Sequence, residues 1–222
     1  MQNPSAPPPV LRPSDPPTVP LADVAAHLGA VSEANLDGVS ARGVTLATAD
    51  LRPGEVFVAV RGVHRHGAEF ARDAISKGAV AIVTDADGAA LLAGAAVPVL
   101  VVDDPRAVLG ELSALVYGTG ADAALPPLLA VTGTNGKTSV THLMEGMLHR
   151  LGVVTGLSST AERHIAGEVI PSRLTTPEAS EMHALLALMR ERDVEAILVE
   201  VSAQALTRHR VDGLHFDVAG FT

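Results

Sequence analysis

The stretch "LLAVTGTNGKTSVTHLMEGMLHRLG", Leu128 to Gly152, constrains the fold more than any other. An apolar run passes through a loop of small residues into a pattern with helical spacing. The chain must therefore make a strand, a tight corner and a helix, in that order. Such a corner lies at the carboxyl end of a sheet, where open α/β folds place their ligands. Gly133 and Gly136 allow close backbone approach there. Val140, Leu143, Met144, Met147, Leu148 and Leu151 recur at helical spacing and predict an anchoring stripe, with Gly152 closing the helix. The helix N-terminus would then offer its free N–H groups to an anion, phosphate above all. Lys137 would neutralise the β- and γ-phosphates, and the Thr138 hydroxyl could hold magnesium. The strict phosphate-loop pattern has a glycine where Val131 stands, so "TGTNGKTS" is a variant of it. The alternative is a strand–turn–helix corner whose lysine is incidental.

The rest of the chain continues this alternation. "PLADVAAHLG" reads as a short helix stopped by Gly29, and "GVTLA" and "EVFVAV" as strands around a Pro53-Gly54 turn. "GAEFARDAISKG" reads as a helix with Phe70, Ala71, Ala74 and Ile75 on one face. "AVAIVTD" and "VPVLVVD" are buried strands separated by a short Ala-rich helix. "PRAVLGELSALVYG" is a helix begun by Pro105, with Val108, Leu112, Leu115 and Val116 on its stripe. These elements predict a small α/β domain over 21–118, followed by a linker over 119–127. The unit from 128 to 222 adds a strand at "VVTGLSS", an irregular stretch and a helix opened by Pro177. Met182, Leu185, Leu186 and Met189 face inward from that helix, and strands follow at "AILVEVS" and "FDVAGFT". The second domain is thus expected to be a mostly parallel, phosphate-loop-type sheet that stops incomplete at Thr222. Eight of the fifteen prolines fall in the first twenty residues, which predicts a disordered or polyproline-like tail.

Composition narrows the function. With 47% apolar but only 2% aromatic residues, the core is built from Ala, Val and Leu, which suits α/β architecture. There is no cysteine, so disulfides and thiolate metal sites are excluded, and no run of residues has the spacing of a tight zinc site. A net charge of −9 argues against a nucleic-acid partner. The longest apolar run, Leu91 to Val102, is interrupted by Gly94 and Pro98 and is too short to span a bilayer. A cytoplasmic protein without a membrane partner is expected.

The variant loop is similar to the ATP loop of the Mur ligases, which build the peptide stem of bacterial cell wall. "LRPGEVFVAVRG", "HGAEFARDAISKGAVAIVTD", "LTTPEA" and "LVEVSAQALTRHRVDGLHFDVAGFT" resemble further segments of the tripeptide-forming branch, in the same order. The resemblance implies ATP contacts by Gly133, Thr134, Asn135, Gly136, Lys137, Thr138 and Ser139, with Lys137 and Glu200 in catalysis and Thr138 and Glu200 on magnesium. It implies contacts to a UDP-sugar-peptide from Thr175, Thr176, Ser202, Arg208 and Arg210. In the first domain it implies a uridine side at Leu46 and Thr48 and a nearby loop of Val63, His64 and Arg65. The substrates would be UDP-N-acetylmuramoyl-L-alanyl-D-glutamate and a diamino acid, meso-diaminopimelate or L-lysine, joined through an acyl phosphate. The full-length enzyme would be monomeric.

Read from the residues alone, several of these positions have a plainer explanation. Thr175-Thr176-Pro177 can simply open a helix, Arg208-His209-Arg210 can be a solvated basic patch, and the "HRH" at 64–66 an exposed polar loop. Glu200 within an apolar strand is different, because a buried carboxylate needs a metal or a cation. The chain also departs from the family pattern. Ala47, Thr48 and Ala49 replace the usual Asp-Ser-Arg, Ala203 and Gln204 follow "EVS", and Arg208 stands where glutamine is common. The family's modified lysine and its third domain have no counterpart in these residues. The chain is therefore expected to be the front part of a longer ligase, inactive alone. Competing readings are a folylpolyglutamate-type ligase, a non-catalytic nucleotide binder and half of a split enzyme.

Overall fold

The structure is a computed structural model that describes residue 8 and residues 10–222. It divides into two compact units, one of residues 14–120 and one of residues 121–222 together with the described residues before 14.

In the first unit, β1 (Val19–Pro20) pairs antiparallel with β2 (Ser40–Ala41), and α1 (Leu21–Leu28) lies between them in sequence. Leu21, Val24 and Ala25 are the buried face of α1, which ends at Gly29 in the left-handed region (φ 60°). A four-stranded parallel sheet has the order β3 (Gly43–Thr45), β4 (Glu55–Ala59), β5 (Ala81–Thr84), β6 (Val99–Val101). Every residue of β4 and β5 is buried, as expected for central parallel strands covered on both faces. The predicted helix over 67–78 forms as a 3₁₀ turn (Gly67–Phe70) followed by α2 (Ala71–Ser76). His66 fixes the start of the turn. Its ring accepts the Ala68 N–H at 3.1 Å, and the Glu69 carboxylate accepts the His66 N–H at 3.0 Å, a reciprocal cap. The "HRH" segment is thus not wholly an exposed loop, since His66 is buried and also contacts Asp85. After α3 (Ala86–Ala90), α4 (Leu109–Tyr117) starts four residues later than Pro105 suggests and buries Leu109, Leu112, Val116 and Tyr117.

The second unit holds β7 (Leu128–Thr132), α5 (Lys137–Arg150), β8 (Thr155–Ser158), β9 (Glu162–Ile165), β10 (Glu168–Pro171), α6 (Ala179–Glu191), β11 (Ala196–Glu200), α7 (Ala203–Thr207) and β12 (Val218–Phe221). The sheet order is β10-β9-β8-β11-β7-β12. The four strands β8, β11, β7 and β12 are parallel, while β9 and β10 extend the sheet as an antiparallel hairpin. That hairpin is the "irregular stretch" of the sequence. Its tip carries Ala166 and Gly167 at positive φ, but only Gly167 is a residue type that signals a turn. Met182, Leu185, Leu186 and Met189 of α6 are all buried, as their spacing requires. Fully burying each such side chain contributes about 1.5–3 kcal/mol. Gly156 lets α6 approach β8, since a Cβ there would meet Met189 Sδ at 2.6 Å.

Two expectations fail. The tail is ordered from Val10 onward: Val10 is buried, Leu11 packs on the core of the second unit, and Val19–Pro20 pair in a sheet. Residues 1–7 and 9 lie outside the described residues. The stripe of α5 is also rotated from its predicted position. Val140, Met144 and Leu148 are half-buried, but Leu143 is 68% exposed, Met147 60% and Leu151 79%. The buried residues of α5 are Thr141 and Glu145. Thr141 Oγ1 donates to the Lys137 and Thr138 carbonyls, and Glu145 accepts from Thr155 Oγ1 at 3.2 Å. A hydrogen-bonded polar seam has taken the place of an apolar one.

Candidate functional site

The loop of residues 133–136 leaves the carboxyl end of β7, which lies between β11 and β12. Gly133 has φ 129°, and a Cβ there would stand 1.9 Å from the Thr222 carbonyl oxygen. That position therefore admits only glycine. Thr134 N–H donates to the same Thr222 oxygen at 3.2 Å, which fixes the loop against the end of β12. Gly136, at φ 83°, turns the backbone into α5. Thr134, Asn135, Gly136 and Ser139 are exposed, while Lys137 and Thr138 are half-buried. The Lys137 ammonium folds across the loop to the Gly133 carbonyl at 2.9 Å. It thereby stands inside the loop, at the N-terminus of a fourteen-residue helix.

Glu200 ends β11, in register with Val131 of neighbouring β7. Its side chain is wholly buried. It accepts from Thr160 N at 3.3 Å and Thr160 Oγ1 at 3.0 Å, and Thr160 is also linked to Thr175 Oγ1 at 3.0 Å. Among the described residues no cation pairs with Glu200. The next residues form a second layer of contacts. Thr176 Oγ1 donates to the Glu200 carbonyl at 2.9 Å and accepts the Ser202 N–H at 3.1 Å. Arg210, 7% exposed, holds Glu178 through Nη2 at 2.8 Å and donates from Nη1 to the Thr176 carbonyl at 3.3 Å. Ser202 Oγ caps α7 by accepting the Ala205 N–H.

Thr175, Thr176, Glu200, Ser202 and Arg210 are therefore brought together at the carboxyl ends of β8 and β11. Arg208 is not. It is exposed at the end of α7. Two residues of this network were not singled out in the sequence reading, Thr160 and Glu178. Thr160 was signalled only by its place just after a strand, and Glu178 by its position inside "TTPEA".

In the first unit a cavity of about 410 Å³ is lined by Leu46, Thr48 and Arg65 of the predicted residues, over a floor including Phe57 and Phe70. Arg61 and Arg106, neither of them singled out from sequence, add two more cations to its lining. Arg65 lies over the Phe70 ring at 4.7 Å and pairs with Glu69 at 2.8 Å. The Thr48 side chain hydrogen-bonds Asp73, and Lys77 adds its charge, so that the Asp73 carboxyl is held below its ordinary range. Lys77 also donates to the Thr48 carbonyl at 3.0 Å, which fixes that loop. Val63, 93% exposed, and His64 do not line the cavity.

Residues 131–222 match the family described as "Mur ligase middle domain", and residues 40–117 match "Mur ligase family, catalytic domain". The chain belongs to the Mur ligase family. It is 53% identical over 215 residues to a UDP-N-acetylmuramyl-tripeptide synthetase of Leifsonia xyli subsp. xyli, covering 97% of this chain and 41% of that protein. It is 44% identical over 210 residues to a UDP-N-acetylmuramoyl-L-alanyl-D-glutamate–2,6-diaminopimelate ligase of Streptomyces avermitilis, covering 95% and 40%. The chain thus spans about two fifths of the length of these relatives. A solved diaminopimelate ligase structure of the same name superposes with a TM-score of 0.72 at 22% identity, covering 92% of this chain and 40% of the other. That likeness establishes the α/β fold. Among the described residues no helix is long and apolar enough to cross a membrane.

Proposed function

We propose that this chain is the ATP-holding and nucleotide-sugar-holding portion of an ATP-dependent carboxylate–amine ligase of peptidoglycan precursor synthesis. Its substrate would be UDP-N-acetylmuramoyl-L-alanyl-D-glutamate, to which the whole enzyme adds meso-diaminopimelate or L-lysine. The observation that carries the reading is the phosphate-loop-like corner with Lys137, one strand away from a buried carboxylate that pairs with no cation among the described residues. The names of the relatives above support the substrate assignment.

In this reading the exposed N–H groups at the start of α5 and the Lys137 ammonium take the ATP phosphates. Lys137 would exchange the Gly133 carbonyl for the β- and γ-phosphate oxygens. Transfer of the γ-phosphoryl group to the substrate carboxylate would give an acyl phosphate and ADP. An amine then attacks the acyl carbon and phosphate leaves. Positioning and charge stabilisation account for most of such catalysis. The residues present fit a magnesium ion, because Thr138 and Glu200 offer only oxygen donors and Glu200 is a buried anion. When bound, that ion neutralises charge on the phosphates. Arg210 would act by holding Thr176 in place, its guanidinium being engaged by Glu178. The arginines of the first unit suit a diphosphate, and its apolar floor a base or sugar face.

The 222-residue chain is expected to bind both ligands without forming the amide. Calorimetric titration with UDP-N-acetylmuramoyl-L-alanyl-D-glutamate and, separately, with a folate monoglutamate tests the assignment. Binding of the first, weakened about tenfold in Arg106→Ala, is the expected result. Binding of the folate alone would contradict it and favour the folylpolyglutamate-type ligases.

A further inference from the structure

We propose that His142, Glu162 and His164 form a divalent transition-metal site, with zinc as the fitting ion, distinct from the residues assigned to ATP. His142 projects from α5, and Glu162 and His164 are two apart on β9, hence on one face of the strand. Each histidine is already oriented through its other nitrogen. His142 Nδ1 lies 2.8 Å from the Thr138 carbonyl, which can only accept, so this nitrogen carries the hydrogen. His164 Nδ1 lies 2.9 and 2.8 Å from the two oxygens of the buried Glu145 carboxylate. Both rings therefore present Nε2 towards Glu162. A carbonyl or carboxylate behind the ring is the arrangement that fixes histidine as a metal ligand.

The distances fit an ion. Glu162 Oε1 is 3.0 Å from His164 Nε2 and 3.7 Å from His142 Nε2, and the three ligand atoms all lie within 4.8 Å of one another. Metal–ligand bonds of about 2.0–2.1 Å at tetrahedral angles place ligand atoms about 3.4 Å apart, between those two separations. His164 Nε2 is buried and makes no well-directed hydrogen bond, although Glu162 is near. The two rings meet edge to face at 88°, so they do not stack.

Charge points the same way. Glu145 and Glu162 are two carboxylates with no lysine or arginine paired to them among the described residues. Two neutral histidines, two carboxylates and one divalent cation sum to zero. Two nitrogens and one oxygen suit zinc rather than magnesium, and the partial exposure of His142 and Glu162 leaves a fourth position for water. The sequence spacing concealed this set, because one ligand comes from a helix and two from the hairpin that periodicity missed. An ion there would tie β9 to α5 and, through the Thr138 carbonyl, to the first turn behind the ATP loop.

The test is calorimetric titration of the chelator-treated 222-residue chain with zinc chloride, paired with thermal melting. One zinc per chain at micromolar affinity or tighter is expected, with a raised melting temperature. His142→Ala and Glu162→Gln should each weaken binding by about tenfold or more, and His209→Ala should not. Both tested side chains are about a third exposed, so their loss leaves the fold intact, as circular dichroism would verify. Failure to bind zinc more tightly than about 100 µM, or affinity unchanged in both His142→Ala and Glu162→Gln, would overturn the proposal.

Discussion

In residues 121–222 the groups around Glu200 are buried and hold one another, whereas the cavity of residues 14–120 has cations around an apolar floor. Thr176, Glu200 and Arg210 have almost no exposed surface and form one hydrogen-bonded chain. Arg61 and Arg65 are exposed side chains in ordinary ion pairs. The first arrangement would bind by preorganisation: its hydrogen bonds are already made, and breaking them should damage the fold. The second would bind with exposed side chains whose removal should cost little stability. Substitutions should separate stability from binding at the cavity of the first unit and couple them within the Thr176–Glu200–Arg210 network of the second.

The largest effect is expected from Arg210→Met, which removes the guanidinium from Glu178 and from the Thr176 carbonyl. Urea unfolding should show a loss of about 3 kcal/mol; a loss below about 0.5 kcal/mol would remove the distinction between the units. Next is Lys137→Ala, which should weaken ATP binding about 100-fold, equivalent to about 2.7 kcal/mol. Its stability should hold, because the ammonium contacts only its own loop.

A third effect is on pH. Burial lowers the His183 pKa from 6.5 to about 4, against a hydrogen bond to the Asp212 carbonyl. Below pH 6.5 the unfolded chain takes up a proton that the folded chain refuses until about pH 4. Stability from this group is therefore complete above 6.5 and lost as pH falls through that window. Between pH 7 and 5 the loss should be about 2 kcal/mol, and His183→Gln should lack it. The smallest stability effect is expected from Arg65→Ala, within about 0.5 kcal/mol, with sugar-nucleotide binding weakened about tenfold. A stability loss above about 2 kcal/mol would show that the first unit, too, builds its site into its fold.

The same contrast explains what the sequence disclosed. The strand–loop–helix corner was legible because its signals are local: two glycines, a lysine and a helix start lie within a few residues, and Gly133 is irreplaceable at φ 129°. Helix α6 was legible because Met182, Leu185, Leu186 and Met189 face an apolar sheet. The orientation of α5 was not, because Thr141 and Glu145 face inward through hydrogen bonds that hydrophobic spacing cannot register. Thr160 and Glu178 were missed for a related reason, their partners being 40 and 32 residues away in sequence. Arg61 and Arg106 belong to separate loops of the first unit that only folding places around one cavity.

The central claim is that Glu200 is a buried anion poised for a cation shared with ATP. It is tested most directly by titrating ATP into the wild-type chain and Glu200→Gln, with and without magnesium. The account predicts that magnesium tightens wild-type binding by about tenfold or more and leaves Glu200→Gln unchanged, while both bind free ATP alike. An equal gain from magnesium in the two proteins would contradict it.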